Sequence, residues 1–194
     1  MKQFILASQS PRRKELLEQA QVPFQTISSR VEEKVDPSLS PEELVVSLAQ
    51  QKAYDVYKDH PDHVVLGSDT VVSIDGLVLG KPKNHDEAKN MLQLLSGRTH
   101  EVFTGVFIYS DEKTIGFSEK AEVQFFNLSA EEIDAYIASG EPFDKAGSYG
   151  IQGLGAVLVE RISGDYFAIV GLPLAKTVRA LKGFGIEGDW QTKA

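Results

Sequence analysis

Val64-Val65-Leu66-Gly67-Ser68-Asp69-Thr70-Val71-Val72-Ser73-Ile74-Asp75-Gly76-Leu77-Val78-Leu79-Gly80 carries the strongest signal of fold class in this chain. Val64-Val65-Leu66 is an unbroken apolar run, the mark of a strand covered on both faces, and the pattern predicts that it stops at Gly67-Ser68-Asp69-Thr70. From Val71 to Gly80 the apolar residues surround Asp75-Gly76, a strong two-residue hairpin signal. A buried-type strand followed by a hairpin predicts a mixed α/β sheet, because a purely parallel one would lack the hairpin.

Working outward, Ser40-Pro41-Glu42-Glu43 has the N-cap, first-turn proline and acidic first turn of a helix, and Leu44, Leu48 and Ala49 give it an apolar stripe running to about Tyr57. Residues 29–40 read as a polar loop, unusually acidic, and Val22 to Ser28 as a second strand. Phe4 to Ala7 and Arg12 to Gln19 open the chain as strand, turn and helix. Downstream, a helix is predicted from His85 to Leu95, stopped by Gly97, then an antiparallel pair, Val102 to Tyr109 and Lys113 to Phe126, around Asp111-Glu112. Ser129-Ala130-Glu131-Glu132 starts another capped helix, Ala156 to Ile162 reads as the last strand, and Gly171-Leu172-Pro173 leads into a final helix through Leu181. No repeat, low-complexity tract or linker interrupts the 194 residues, so a single two-lobed α/β domain over 1–194 is expected.

The composition, 42% hydrophobic and 25% charged, is that of a globular protein. A net charge of −8 argues against a broad footprint for nucleic acid or an anionic membrane, so a polyanionic ligand needs a local basic cluster. Without cysteine, any metal must sit on oxygen or imidazole, which favours Mg²⁺ or Mn²⁺. The start, Met1-Lys2-Gln3-Phe4-Ile5-Leu6-Ala7, is too short an apolar run for a signal segment, and nothing approaches the ~20 apolar residues of a membrane span. A cytoplasmic location follows as the expectation.

Three constellations can carry chemistry. In Ala7-Ser8-Gln9-Ser10-Pro11-Arg12-Arg13-Lys14, Ser10 is a plausible N-cap and Pro11 the first helical residue, yet the first turn is basic. That placement opposes the helix dipole unless an anion is bound, and serine hydroxyls, amides and guanidinium forks together suit phosphate. In Gly67-Ser68-Asp69-Thr70 a carboxylate follows a buried-type strand, where α/β sheets present ligand-binding residues; alone, such an aspartate more often caps a turn. Glu32 and Glu33 can complete an oxygen-rich metal site with it, and Lys52 and Lys81 can serve phosphate as point charges. Lys52 lies beside the apolar stripe of its helix, so it either snorkels or meets an anion. In Glu141 to Gly153 the amide of Gln152 can donate and accept at once, matching the imide edge of uracil or thymine, although an irregular turn with Gln152 solvated fits equally well. Gly153-x-Gly155 is no dinucleotide fingerprint because it precedes a strand, and no Walker A pattern exists. Asp165 reads as a turn residue, and the four histidines show no ligand spacing.

Ala7-Ser8-Gln9-Ser10-Pro11-Arg12-Arg13-Lys14-Glu15-Leu16-Leu17, Ser68-Asp69-Thr70, Leu79-Gly80-Lys81-Pro82, His100-Glu101-Val102-Phe103-Thr104-Gly105-Val106, Asp144 to Gly153 and Gly171-Leu172-Pro173, in this order, make the chain resemble the Maf family of nucleotide pyrophosphatases. The resemblance implies an elongated, two-lobed mixed α/β fold similar to that of inosine triphosphate pyrophosphatases (Maf/Ham1), a central cleft, a homodimer and a divalent cation. It implies hydrolysis of nucleoside triphosphates to monophosphate and diphosphate, with Asp69 as proton acceptor and Arg12, Thr70 and Gln152 distinguishing substrate branches. Arg12-Arg13 with Gln152 looks like the branch acting on dTTP and UTP. Glu32-Glu33 stands where many relatives have Asp-Glu, and Phe167-Ala168 where Tyr/Phe-Asn is commoner.

Combined, the two readings give Glu33 and Asp69 to the metal and Ser8, Arg12, Arg13, Lys52 and Lys81 to the phosphates. Asp69 is either proton acceptor or metal ligand, since one carboxylate oxygen does not easily do both. The resemblance keeps two other functions open: a nucleotide- or nucleic-acid-binding regulator of septum formation without turnover, and, through the related fold, a house-cleaning pyrophosphatase for inosine or xanthosine triphosphate.

Overall fold

The computed structural model describes residues 3–190; Met1 and Lys2, which begin the amino-terminal stretch read above, and residues 191–194 lie outside the described residues. The element order is β1 (Phe4–Leu6), α1 (Pro11–Gln19), β2 (Gln25–Thr26), α2 (Pro41–Tyr57), β3 (Val64–Ile74), β4 (Leu77–Leu79), α3 (His85–Leu95), β5 (Thr99–Tyr109), β6 (Thr114–Phe125), α4 (Ala130–Ala138), β7 (Val159–Ser163), α5 (Tyr166–Val170) and α6 (Leu174–Lys182). Short 3₁₀ turns occupy Glu141–Asp144, Ala146–Ser148 and Leu154–Leu158. The strands form a seven-stranded mixed sheet in the order β2-β1-β3-β5-β6-β7, with β4 added to β3. β1 pairs in parallel with β2 and β3, whereas β4 and β7 pair antiparallel with β3 and β6. Among the described residues no helix is long and apolar enough to cross a membrane.

Three strand expectations need correction. The strand at Val64 does not stop at Gly67: β3 runs on without a break to Ile74. Gly67 is there because α2 lies against the strand; a Cβ on it would come within 2.2 Å of the Ala49 carbonyl oxygen and 2.7 Å of the Ala53 nitrogen. Gly105 on β5 serves the same helix, its missing Cβ falling 2.3 Å from the Val45 carbonyl. The last strand begins only at Val159, and Leu154–Leu158, part of which reads as strand, is a 3₁₀ turn. The predicted second strand shrinks to two exposed residues, Gln25–Thr26.

The helix signals hold. Ser40 accepts the amide of Glu43 at 3.3 Å while Glu43 returns to the Ser40 amide at 2.9 Å, closing a capping box behind Pro41. Ser129 and Glu132 repeat the box on α4, and Asn84 caps α3. The hairpin β5–β6 is closed by the Ser110 amide donating to the Lys113 carbonyl at 3.0 Å.

The chain divides into two compact units. The first holds residues up to Asp69, Thr104–Glu119 and those from Gly171; the second holds Thr70–Phe103 and Lys120–Val170. In the first, Ile5, Ala7, Ala53, Val56 and Val65 form a core between the sheet and α2. In the second, α3 and α4 contribute Ala88, Leu92, Leu95, Ile133 and Ile137 to a core shared with Val72, Val123 and Phe125. A fully buried Leu or Ile side chain contributes about 1.5–3 kcal/mol, so each unit carries a substantial share of the stability.

Candidate functional site

In the first unit, side chains alternate along β3, so Asp69 shares with Gly67 the face that α2 covers. Lys52, on α2, meets the Asp69 carboxylate in a short ion pair and also lies 3.1 Å from Glu33 Oε1. The Lys52 side chain is 17% exposed, Asp69 14% and Glu33 41%. Lys52 therefore does not snorkel; it answers two carboxylates in a partly shielded place.

Glu33 reaches Lys52 because α2 holds the acidic loop on both sides of Glu33. Asp55 accepts from the Ser29 hydroxyl at 3.0 Å and the Arg30 amide at 2.8 Å. Gln51 accepts the Lys34 amide at 2.8 Å and donates to the Lys34 carbonyl at 3.0 Å. Gln51 and Asp55 were not singled out by sequence reasoning. Their signal was positional, since residues 51, 52 and 55 share one side of the helix.

The start of α1 lies in the same unit. Ser10 caps the helix, and its first turn holds no acidic residue against Arg12, Arg13 and Lys14. The Arg13 guanidinium donates through Nε to the Gly171 carbonyl at 2.8 Å and through Nη1 to the Ser8 hydroxyl at 3.4 Å. Ser68 donates to the same carbonyl at 3.2 Å, so the Gly171-Leu172-Pro173 block fixes both Arg13 and Ser68. Burial pulls the Arg13 guanidinium below its ordinary value; Asp69 opposes that shift, Arg12 adds to it and Glu33 opposes it. Arg13 thus stands in the fields of three other candidate residues. Ser8 is buried, and its hydroxyl also accepts the Ser10 amide at 3.1 Å.

The second unit holds the remaining candidates. Thr70 follows Asp69 on β3 and is half-buried. Lys81 is exposed just after β4, between the Gly80 carbonyl, which accepts the Gly147 amide at 3.0 Å, and the buried Pro82. Gln152 is exposed in a turn directly ahead of the 3₁₀ turn Leu154–Leu158. Asp165 is structural, its carboxylate accepting the Phe167 amide at 2.9 Å at the start of α5. His100 is a core residue: its Nε2 is 2.8 Å from the Tyr149 hydroxyl, edge-on to the rings of Phe125 and Tyr149.

The donor set fits a hard divalent cation. Glu33 and Asp69 are both oxygen ligands, and the Lys52 ammonium against both of them shows that the pair gathers positive charge. Among the described residues no group of three or more His, Asp or Glu gathers as a ready-made cage. Mg²⁺ commonly uses one or two protein carboxylates and completes its shell with water and substrate phosphate.

A family model described as Maf-like protein matches residues 3–184 of the chain. A dTTP/UTP pyrophosphatase of Bacillus cereus is 59% identical over 187 residues, covering 96% of this chain and 98% of that protein. A dTTP/UTP pyrophosphatase of Bacillus cytotoxicus is 59% identical over 184 residues, covering 95% and 96%. Among solved structures, the Ham1 protein of Staphylococcus aureus aligns with a TM-score of 0.44 and 15% identity over 64% of this chain and 72% of that one.

Proposed function

This chain belongs to the Maf-like family, and we propose that it is a nucleotide pyrophosphatase that hydrolyses dTTP and UTP to the nucleoside monophosphate and diphosphate. The observation that carries the reading is the cluster of the first unit, where Lys52 joins Asp69 to Glu33 and Arg13 stands in their field, beside a helix start made basic by Arg12 and Arg13. The relatives' substrates support dTTP and UTP.

In this reading, water attacks the α-phosphorus, a P–O bond forms, and the α–β anhydride bond breaks with pyrophosphate as leaving group. Asp69 orients the water and accepts its proton, held in place by Lys52. Arg12, Arg13, Lys52 and Lys81 bind the phosphate oxygens, and Ser8 steadies the Arg13 fork. Stabilising the departing pyrophosphate is the largest electrostatic demand, and preformed guanidinium and ammonium groups are suited to it. Glu33, with the Asp69 oxygen that does not take the proton, would hold the divalent cation, which when bound neutralises triphosphate charge. In the second unit, Gln152 reads the imide edge of the pyrimidine and Thr70 assists selection. The chain acts as a single Maf-type domain, and a cytoplasmic homodimer completes the reading.

The test is product analysis from UTP, dTTP, ITP and GTP with Mg²⁺ or Mn²⁺. Monophosphate and pyrophosphate from UTP and dTTP, at least about tenfold faster than from the purines, is the expected result. Diphosphate with inorganic phosphate, or a preference for ITP, contradicts it.

A further inference from the structure

Glycine is unusually dense between Gly147 and Gly155, and the second unit shows why. Tyr136 on α4 donates its hydroxyl proton to Glu141 Oε1 at 2.9 Å and accepts the Gly150 amide at 3.2 Å. The Glu141 carboxylate accepts the Leu154 amide at 2.8 Å and the Gly155 amide at 3.0 Å. Three backbone amides, one before Gln152 and two after it, therefore converge on one tyrosine–glutamate pair. A Cβ on Gly153 would fall 2.2 Å from Glu141 Oε2, and one on Gly155 would fall 2.5 Å from the Gly150 carbonyl and 2.7 Å from the Tyr136 hydroxyl. The glycines make room for the pair. Lys145 adds a brace, its ammonium donating to the Glu141 carbonyl at 2.8 Å. Burial raises the Glu141 carboxyl, but the amides of Gly155 and Leu154, the Tyr136 hydroxyl and nearby Lys145 outweigh it and hold the group below its ordinary value.

We propose that Glu141, through Tyr136 and the amides on both sides of Ile151-Gln152-Gly153, is a positioning residue that fixes the Gln152 amide for base selection; this rests on the base-reading role given to Gln152 above. Gln152 is exposed, and the backbone on either side of it is held by Tyr136 and Glu141, so the aim of its side chain is set by that backbone. Glutamine cannot replace the carboxylate: its oxygen end accepts, but its NH₂ end faces an amide donor.

The experiment compares full-length wild type with E141Q, Y136F, Q152A and E141Q/Q152A, measuring kcat and KM for UTP, dTTP and ITP and inhibition by inorganic triphosphate, which probes the phosphate half alone. E141Q is expected to lower the pyrimidine-to-purine ratio of kcat/KM about tenfold, mainly through KM for UTP and dTTP, with inhibition by triphosphate unchanged. Q152A lowers the ratio similarly, and the double variant falls no further, because both changes remove one function. A ratio retained in E141Q but lost in Q152A, or additive losses in the double variant, overturns the positioning role and leaves the function intact. A ratio retained in Q152A overturns the base-reading role and this inference with it. Should E141Q fail to fold, Y136F, which keeps the ring and loses the hydroxyl, is expected to shift the ratio about threefold in the same direction; a folded Y136F with the wild-type ratio overturns the proposal.

Discussion

At Lys52 one ammonium faces two carboxylates, and periodicity along α2 could place the lysine beside the apolar stripe but not name its partners. Glu33 comes from a loop without periodicity, and Asp69 from a strand that reads as ending two residues earlier. The contact is a product of tertiary packing. His100 shows a different residue-scale consequence. Its Nδ1 is buried without a hydrogen-bond partner, and burial pushes the imidazole down to about 4 from 6.5. The unfolded chain then takes up a proton at a higher pH than the fold does. Stability is fully present above pH 6.5 and falls as pH drops from 6.5 toward 4. Denaturant titrations at pH 6.5 and 5 should show the wild type losing roughly 1.5 kcal/mol more than His100→Gln. Equal losses in the two proteins would remove His100 as the cause.

At the scale of elements, α2 is the organising piece of the first unit: it lies against Gly67 and Gly105, pins the acidic loop through Gln51 and Asp55, and presents Lys52. Gly67→Ala puts a methyl group against backbone atoms of Ala49 and Ala53 that cannot step aside singly. It should cost about 1–3 kcal/mol in denaturant unfolding, whereas Gly80→Ala, with nothing near its missing Cβ, should stay within about 0.5 kcal/mol. A wild-type midpoint for Gly67→Ala would mean that α2 is not closely seated. The helices were legible because capping residues, first-turn prolines and apolar stripes are local signals, and Ser40 and Ser129 cap as their spacing predicts. Two strand boundaries were not. Gly67 reads as a break although it serves a helix distant in sequence, and Ala156 to Leu158 read as strand although the Glu141 carboxylate draws the amides just ahead of them, those of Leu154 and Gly155, into a 3₁₀ turn.

At the scale of the whole molecule, a chain of net charge −8 gathers Arg12, Arg13 and Lys14 in the first turn of one helix, so attraction for a polyanion is local and not spread over the surface. The mixed sheet was readable from the apolar run at Val64 and the Asp75-Gly76 hairpin. Two lobes were expected from the length of the chain, but the assembly of each unit from separated segments was not readable, because β3, β5 and β6 each give residues to both units. The candidate residues fall on both sides of that division: Arg12, Arg13, Glu33, Lys52 and Asp69 belong to the first unit, and Thr70, Lys81 and Gln152 to the second.

In the proposed function, the first-unit cluster turns over nucleoside triphosphate with Asp69 as its reactive carboxylate. The direct measurement is pyrophosphate release from UTP and dTTP by the wild type and Asp69→Asn, in the same Mg²⁺ or Mn²⁺ buffer, with nucleotide binding measured alongside. Release by the wild type that falls at least about 10²-fold in Asp69→Asn, with binding still measurable, is the predicted result. Binding without release by the wild type, or release undiminished in Asp69→Asn, would contradict the account.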